Sequence, residues 1–175
     1  MFGVVYKFLW IRRFVMPGYL GRPTFISGAK RISIGRRVRI FPGVRMEAGK
    51  SGFIEIGNDI AIAQNVHITC GARVHIADGT CIAANVCITD TRHSYEDISI
   101  NVLKQQDQFM TTYIGSDCFI GFGSVIHAGT KLGRHCIVGA NSVVSGEFPD
   151  YTVIAGIPAR AIRKYDPALG EWSAM

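Results

Sequence analysis

The amino-acid sequence predicts an all-β chain wound into a solenoid of parallel strands, on three observations. Aliphatic residues return at every sixth position over most of the chain, a period that is neither the 3.6 of a helix nor a simple alternation. Two of every three of them are followed by a small residue. Every break in the count follows the third member of a group of three.

The groups are Ile34, Ile40 and Met46; Ile56, Ile62 and Ile68; Ile76, Ile82 and Ile88; Ile114, Ile120 and Ile126; and Leu132, Val138 and Val144. Read as three short strands, each group is one coil of a triangular prism whose axis these side chains fill. About five to six coils are expected. Coils stack at roughly 4.8 Å, so residues about eighteen apart become ladder neighbours. Cys118 and Cys136 have that separation and are expected to lie stacked and buried.

After the first and second members come Gly35, Gly57, Ala63, Ala77, Ala83, Gly115, Gly121, Gly133 and Gly139, with Phe41 the exception. Small residues suit tight corners, and glycine alone takes positive φ without penalty. After the third member come Glu47, Thr69, Thr89, His127 and Ser145, a polar column along the edge that carries the insertions. The gap from Ile88 to Ile114 is twenty-six residues and predicts a long loop over 89–113. It opens with ITDTRHSY, which gathers Asp90, Arg92 and His93. Loops on a rigid scaffold are where sites are usually built.

The ends are read separately. Residues 1–20 form an N-terminal helical segment in this reading, ended by Pro17-Gly18, and 21–165 form the solenoid. The stretch MFGVVYKFLWIRRFVM is too short, and too interrupted by Lys7, Arg12 and Arg13, to span a bilayer. Residues 1–16 either lie on a membrane as an amphipathic helix or pack on the protein or a neighbouring subunit. Pro158 begins a short C-terminal helix in the same reading, and 166–175 are a tail.

Composition narrows the classes. A chain of 175 residues, 48% hydrophobic with 20 glycines, suits one turn-rich globular domain. The net charge of +6 permits an anionic partner, but no basic stripe is interleaved with aromatics, so no nucleic acid is expected. Five cysteines without a C-x-x-C pair point to a reducing cytoplasm, here extended to the inner face of its membrane. His67 and His75 each precede an inward residue and should point outward. Three converging histidines are not in evidence, so no metal is expected.

The motifs IGSDCFIGFGSVI and LGRHCIVGANSVV resemble the bacterial hexapeptide-repeat acyltransferases. ITDTRHSY, KQQ and VIAGIPARAIRKY resemble their maltose, galactoside and polysaccharide O-acetyltransferase branch. The resemblance covers about residues 30–165. It implies a left-handed parallel β-helix, a homotrimer with active sites between subunits, and acetyl-CoA as co-substrate.

His93 falls where the family carries its general base. A neutral imidazole suits the task, because it can take the proton of a sugar hydroxyl as that oxygen attacks the thioester. Asp90 is the candidate to orient the ring, or it caps the turn. Thr89, Arg92 and His127, beside the loop base, are candidate acceptor contacts. For the coenzyme, the resemblance places Phe119 on the pantetheine arm, where relatives commonly have tryptophan. It also places the Ala140 backbone on that arm, Ser145 on a polar contact, and Arg160 and Arg163 at the phosphorylated end, where a planar guanidinium fits phosphate. A generic basic tail is the alternative for the two arginines.

The stretch TCGARV lacks the carboxylate with which the simple galactoside and maltose enzymes hold their sugar. With the apolar, basic amino terminus, this favours a sugar of a cell-surface polysaccharide or its lipid-linked precursor. The alternatives are N-acetylation of an amino sugar or nucleotide sugar, acetylation of an antibiotic or serine, and a non-catalytic scaffold.

Overall fold

The structure is a computed structural model that describes residues 11–175. Three parallel sheets form the sides of a prism. The first face runs from Arg13–Phe14 through Ile32–Ile34, Phe53–Ile56, Arg73–Ile76, Thr112–Ile114 and Lys131–Leu132 to Glu147–Phe148. The second runs from Tyr19–Leu20 to Thr152–Gly156, and the third from Phe25–Ser27 to Val143–Val144. The fold is a left-handed parallel β-helix.

The predicted register holds across all three faces. Ile34, Ile56, Ile76, Ile114 and Leu132 succeed one another on the first. Ile40, Ile62, Ile82, Ile120 and Val138 do so on the second. Met46, Ile68, Ile88, Ile126 and Val144 do so on the third. Apart from Ile56, at 3% exposure, each of these side chains is completely shielded from solvent. Every long insertion leaves from the edge between the third face and the first.

The prism is longer than five to six coils: six full turns are followed by two sides of a seventh. The additional first turn carries Phe14, Leu20 and Ile26, themselves six apart, in register with Ile34, Ile40 and Met46. Phe14 in place of an aliphatic residue, and Pro17-Gly18 read as a terminator, concealed it. Of the expected N-terminal helix, residues 1–10 lie outside the described residues. Arg13–Phe14 is a strand, because the open edge of Ile32–Ile34 offers it a parallel ladder.

The expected C-terminal helix is also a strand. Ala159–Asp166 folds back antiparallel on Thr152–Gly156, and Glu171–Ala174 adds a further strand. The last coil leaves a row of unpaired backbone groups, and this hairpin satisfies them where a helix would not.

The corner glycines serve packing more than conformation. Gly35, Gly57, Gly115, Gly121, Gly133 and Gly139 are not the positive-φ residues. Instead Arg37, Asp59, Asn65, Asn85, Asp117, His135, Asn141 and Tyr151 take that conformation, along with glycines such as Gly79 and Gly123. Asn and Asp tolerate it best among residues with a Cβ. A Cβ at Gly115 would run into the Gly133 carbonyl, and one at Gly121 into Val138 and Ala140.

Candidate functional site

The long loop leaves the prism as a hairpin. Thr91–Arg92 pairs antiparallel with Gln108–Phe109, Thr91 opposite Phe109 and Arg92 opposite Gln108. Continuing that register by one residue sets His93 opposite Asp107. The two side chains meet: His93 Nδ1 lies 2.6 Å from Asp107 Oδ1. With Nδ1–H donating to the carboxylate, the lone pair of the neutral ring sits on Nε2, and the side chain is 74% exposed.

Asp90 therefore does not orient His93. Its side chain is fully buried and accepts from three consecutive backbone N–H groups, those of Gly71, Ala72 and Arg73, each at 2.7 Å. The Thr91 hydroxyl and the Cys70 thiol also donate to it. Burial, then the Asp90 charge, pushes the Cys70 thiol up to about 12. Asp90 clamps the corner from which the hairpin springs. The Phe109 ring covers Gly71, where a Cβ would collide with it.

The returning limb is stitched into the same edge. Met110 N–H donates to the Asp90 carbonyl at 2.8 Å, and Gly129 N–H donates to the Met110 carbonyl at 3.0 Å. Thr112 Oγ1 donates to the Thr89 carbonyl at 2.8 Å and reaches that of His127 at 3.4 Å. The loop thus lies against the polar column. Thr69 Oγ1 donates to Thr89 Oγ1 at 2.8 Å, and His127 and Ser145 follow, exposed, toward the C-terminal end. Arg92 turns to Glu96 within the loop, at 2.9 Å. Farther out, Gln105 Nε2 donates to the Asp97 carbonyl at 2.8 Å and braces the tip.

The residues expected to meet the coenzyme lie elsewhere on the prism. Phe119, exposed, sits on the outer side of the second face in a column with Cys81, Ile137, Val153 and Arg163. Phe119 and Arg163 are three strand spacings apart, roughly 14 Å. Arg160 pairs with Ala155 at the next corner, and Ala140 stands exposed at the same corner one coil earlier. Arg163 Nη2 reaches the Trp172 carbonyl at 3.2 Å, and Arg160 Nη1 its neighbour Ala159 at 2.9 Å. Ser145 is on the loop edge instead. Within one chain the edge that carries the His93 hairpin lies opposite the face that carries the Phe119–Arg163 column.

Asp107 is the residue that sequence reasoning missed. Its only signal was position, fourteen residues beyond His93 and just after KQQ, and no turn motif in the loop announced a hairpin register. Cys118 and Cys136 lie where the eighteen-residue spacing put them, buried on consecutive coils, their thiols donating to the Gly133 and Pro149 carbonyls. The described residues contain no group of three or more metal-ligating side chains, and no helix long and apolar enough to cross a membrane.

A family model described as bacterial transferase hexapeptide (six repeats) matches residues 111–146. WbbJ of Escherichia coli K12, described as a lipopolysaccharide biosynthesis O-acetyl transferase, is 32% identical over 157 residues, which are 86% of this chain and 80% of its own. A dTDP-4-amino-4,6-dideoxy-D-glucose acyltransferase of Escherichia coli is 31% identical over 149 residues, 82% of this chain and 77% of its own. Among solved structures, AntD, an N-acyltransferase from Bacillus cereus in complex with dTDP and 3-hydroxybutyryl-CoA, superimposes with a TM-score of 0.77. It is 19% identical, over 92% of this chain and 87% of that one.

Proposed function

This chain belongs to the bacterial hexapeptide-repeat transferases and is an acyltransferase, and from that premise we infer that it moves an acetyl group from acetyl-CoA to a sugar hydroxyl with His93 as general base. The observation that carries the reading is the His93–Asp107 pair on an exposed hairpin. Asp107 holds the ring by Nδ1–H, so Nε2 presents its lone pair to the acceptor. The acceptor oxygen attacks the thioester carbonyl carbon as its proton passes to Nε2. The C–S bond then breaks, the sulfur leaves with the electron pair, and the imidazolium returns the proton to it. The thioester is already activated, so no acyl-enzyme is needed. His127, on the edge beneath the loop, is placed to meet the acceptor.

The donor side of the reading rests on the Phe119–Arg163 column and on Arg160, Ala140 and Ser145. Phe119 offers a face to the pantetheine arm, and the two arginines offer guanidinium forks to phosphate. This column lies on the face opposite the edge that carries His93 of the same chain. A site that joins base and donor is therefore assembled between copies of the chain, which supports a homotrimer.

The acceptor proposed is a sugar of a cell-surface polysaccharide or of its lipid-linked precursor, modified at the cytoplasmic face of the membrane. The relative WbbJ, described as an O-acetyl transferase of lipopolysaccharide biosynthesis, supports an O-linked product. The amino-sugar acyltransferase relative favours a second reading, transfer to an amine. Release of coenzyme A, followed against sugars, amino sugars, nucleotide sugars and lipid-linked oligosaccharides, tests the choice. Turnover with hydroxyl acceptors in polymer or lipid-linked form is the expected result. Turnover confined to amines, or to free mono- and disaccharides, overturns it.

A further inference from the structure

Charge is gathered at the N-terminal end of the prism. Residues 11–50 contain ten of the nineteen Lys and Arg residues but one of the thirteen Asp and Glu. Two adjoining grooves open there on the first face, with volumes of about 400 and 310 Å³. Arg12, Arg13 and Arg31 line the first; Arg13, Arg36 and Arg37 line the second. Arg13 thus belongs to both.

Glu55 shares the lining of the first groove, and Asp59 and Asp78 that of the second, each with its own partner. Glu55 takes Arg73 by two bonds of 3.0 and 3.1 Å, with His75 at 3.3 Å. Asp59 is held by Arg37 on both oxygens. Asp78 accepts from the backbone and side-chain amides of Asn58. Arg12, Arg13, Arg31 and Arg36 form no ion pair among the described residues. Arg12 lies over the Phe53 ring at 5.9 Å. Arg31 Nη2 reaches the Ala48 carbonyl at 2.8 Å, while its Nε is buried with no acceptor. A buried donor without a partner is uncommon enough to point to an ion or water. Clustered guanidinium forks match phosphate oxygens bidentately.

We propose that these joined grooves bind a diphosphate group at Arg13, the arginine they share. A sugar linked through diphosphate to a nucleotide or to a lipid carrier presents that chemistry. The assignment stands on the arginines and does not depend on His93. Isothermal titration of the full chain with inorganic pyrophosphate, at fixed ionic strength, tests it. Saturable binding is expected, weakened at least tenfold in Arg12→Gln/Arg13→Gln, two exposed positions whose change leaves the melting temperature in place. Displacement of the pyrophosphate by UDP-glucose supports the site with a nucleotide source. Displacement by phosphatidylcholine vesicles doped with a polyprenyl diphosphate supports it with a lipid source. Equal binding by the double variant overturns the assignment, as does displacement by neither competitor. Binding lost instead in Arg163→Gln places the pyrophosphate at the other end of the prism, and also overturns it.

Discussion

His93 and Asp107 are fourteen residues apart in the chain and one residue above a two-rung ladder in space. What makes that ladder rigid is Asp90, whose buried carboxylate takes three successive N–H groups of the corner at 71–73. Asp90→Ala strands those donors and should cost about 2–4 kcal/mol, since each bond to a charged acceptor is worth about 1.5–3 kcal/mol less what entering water restores. Urea unfolding measures this. A loss below 0.5 kcal/mol would mean that the clamp is dispensable. Cys70 answers to the same group: burial and the Asp90 charge hold its thiol protonated until pH nears 12. Cys81 is exposed and Cys70, Cys118 and Cys136 are buried, so at pH 8 iodoacetamide should label Cys81 first and spare the other three until the chain unfolds. Peptide mapping of the alkylated native protein reads the order. Rapid labelling of both Cys118 and Cys136 would contradict the coil register itself.

Strands of two to five residues form every side of the prism, too short to stand alone, and each is held by neighbouring rungs. The two ends are where that support runs out, and there the chain was hardest to read. The sixfold aliphatic count over 34–144 placed fifteen inward residues and every insertion, because inward packing leaves little choice of side chain. Phe14, Leu20 and Ile26 obey the same count, but an aromatic at its start and Pro17-Gly18 within it hide the pattern. ARAIRKYD carries no strand alternation strong enough to announce itself, and the deciding factor, an open sheet edge, belongs to the tertiary structure. Asp107 was illegible for a similar reason, since hairpin register depends on a loop with no turn signal. Ending the chain at Pro158 removes Ala159–Asp166 and uncovers the strand Thr152–Gly156. Lower melting temperature and concentration-dependent association are expected, by scanning fluorimetry and light scattering. An unchanged, monodisperse protein would show that the hairpin does not guard that edge.

At the scale of the molecule, the solenoid sorts chemistry by edge and by end. Arginines crowd the first turns, and the hairpin with its His–Asp pair overhangs the edge between third and first faces. The Phe119–Arg163 column occupies the second face toward the C-terminal end. The prism holds these stations apart, and in the proposed homotrimer copies of the chain bring them together. In the proposed reaction the hairpin supplies the proton acceptor and the second face of a neighbour supplies the donor. The most direct measurement is the steady-state rate of coenzyme A release from acetyl-CoA with a saturating sugar acceptor, for the unaltered chain, His93→Ala and Asp107→Asn. General-base catalysis is worth about 10²–10⁴ in rate. His93→Ala should therefore lose at least a hundredfold in kcat with KM for acetyl-CoA and melting temperature unchanged. Asp107→Asn should lose kcat in the same manner and to a smaller extent. A His93→Ala enzyme that keeps its kcat would contradict the account.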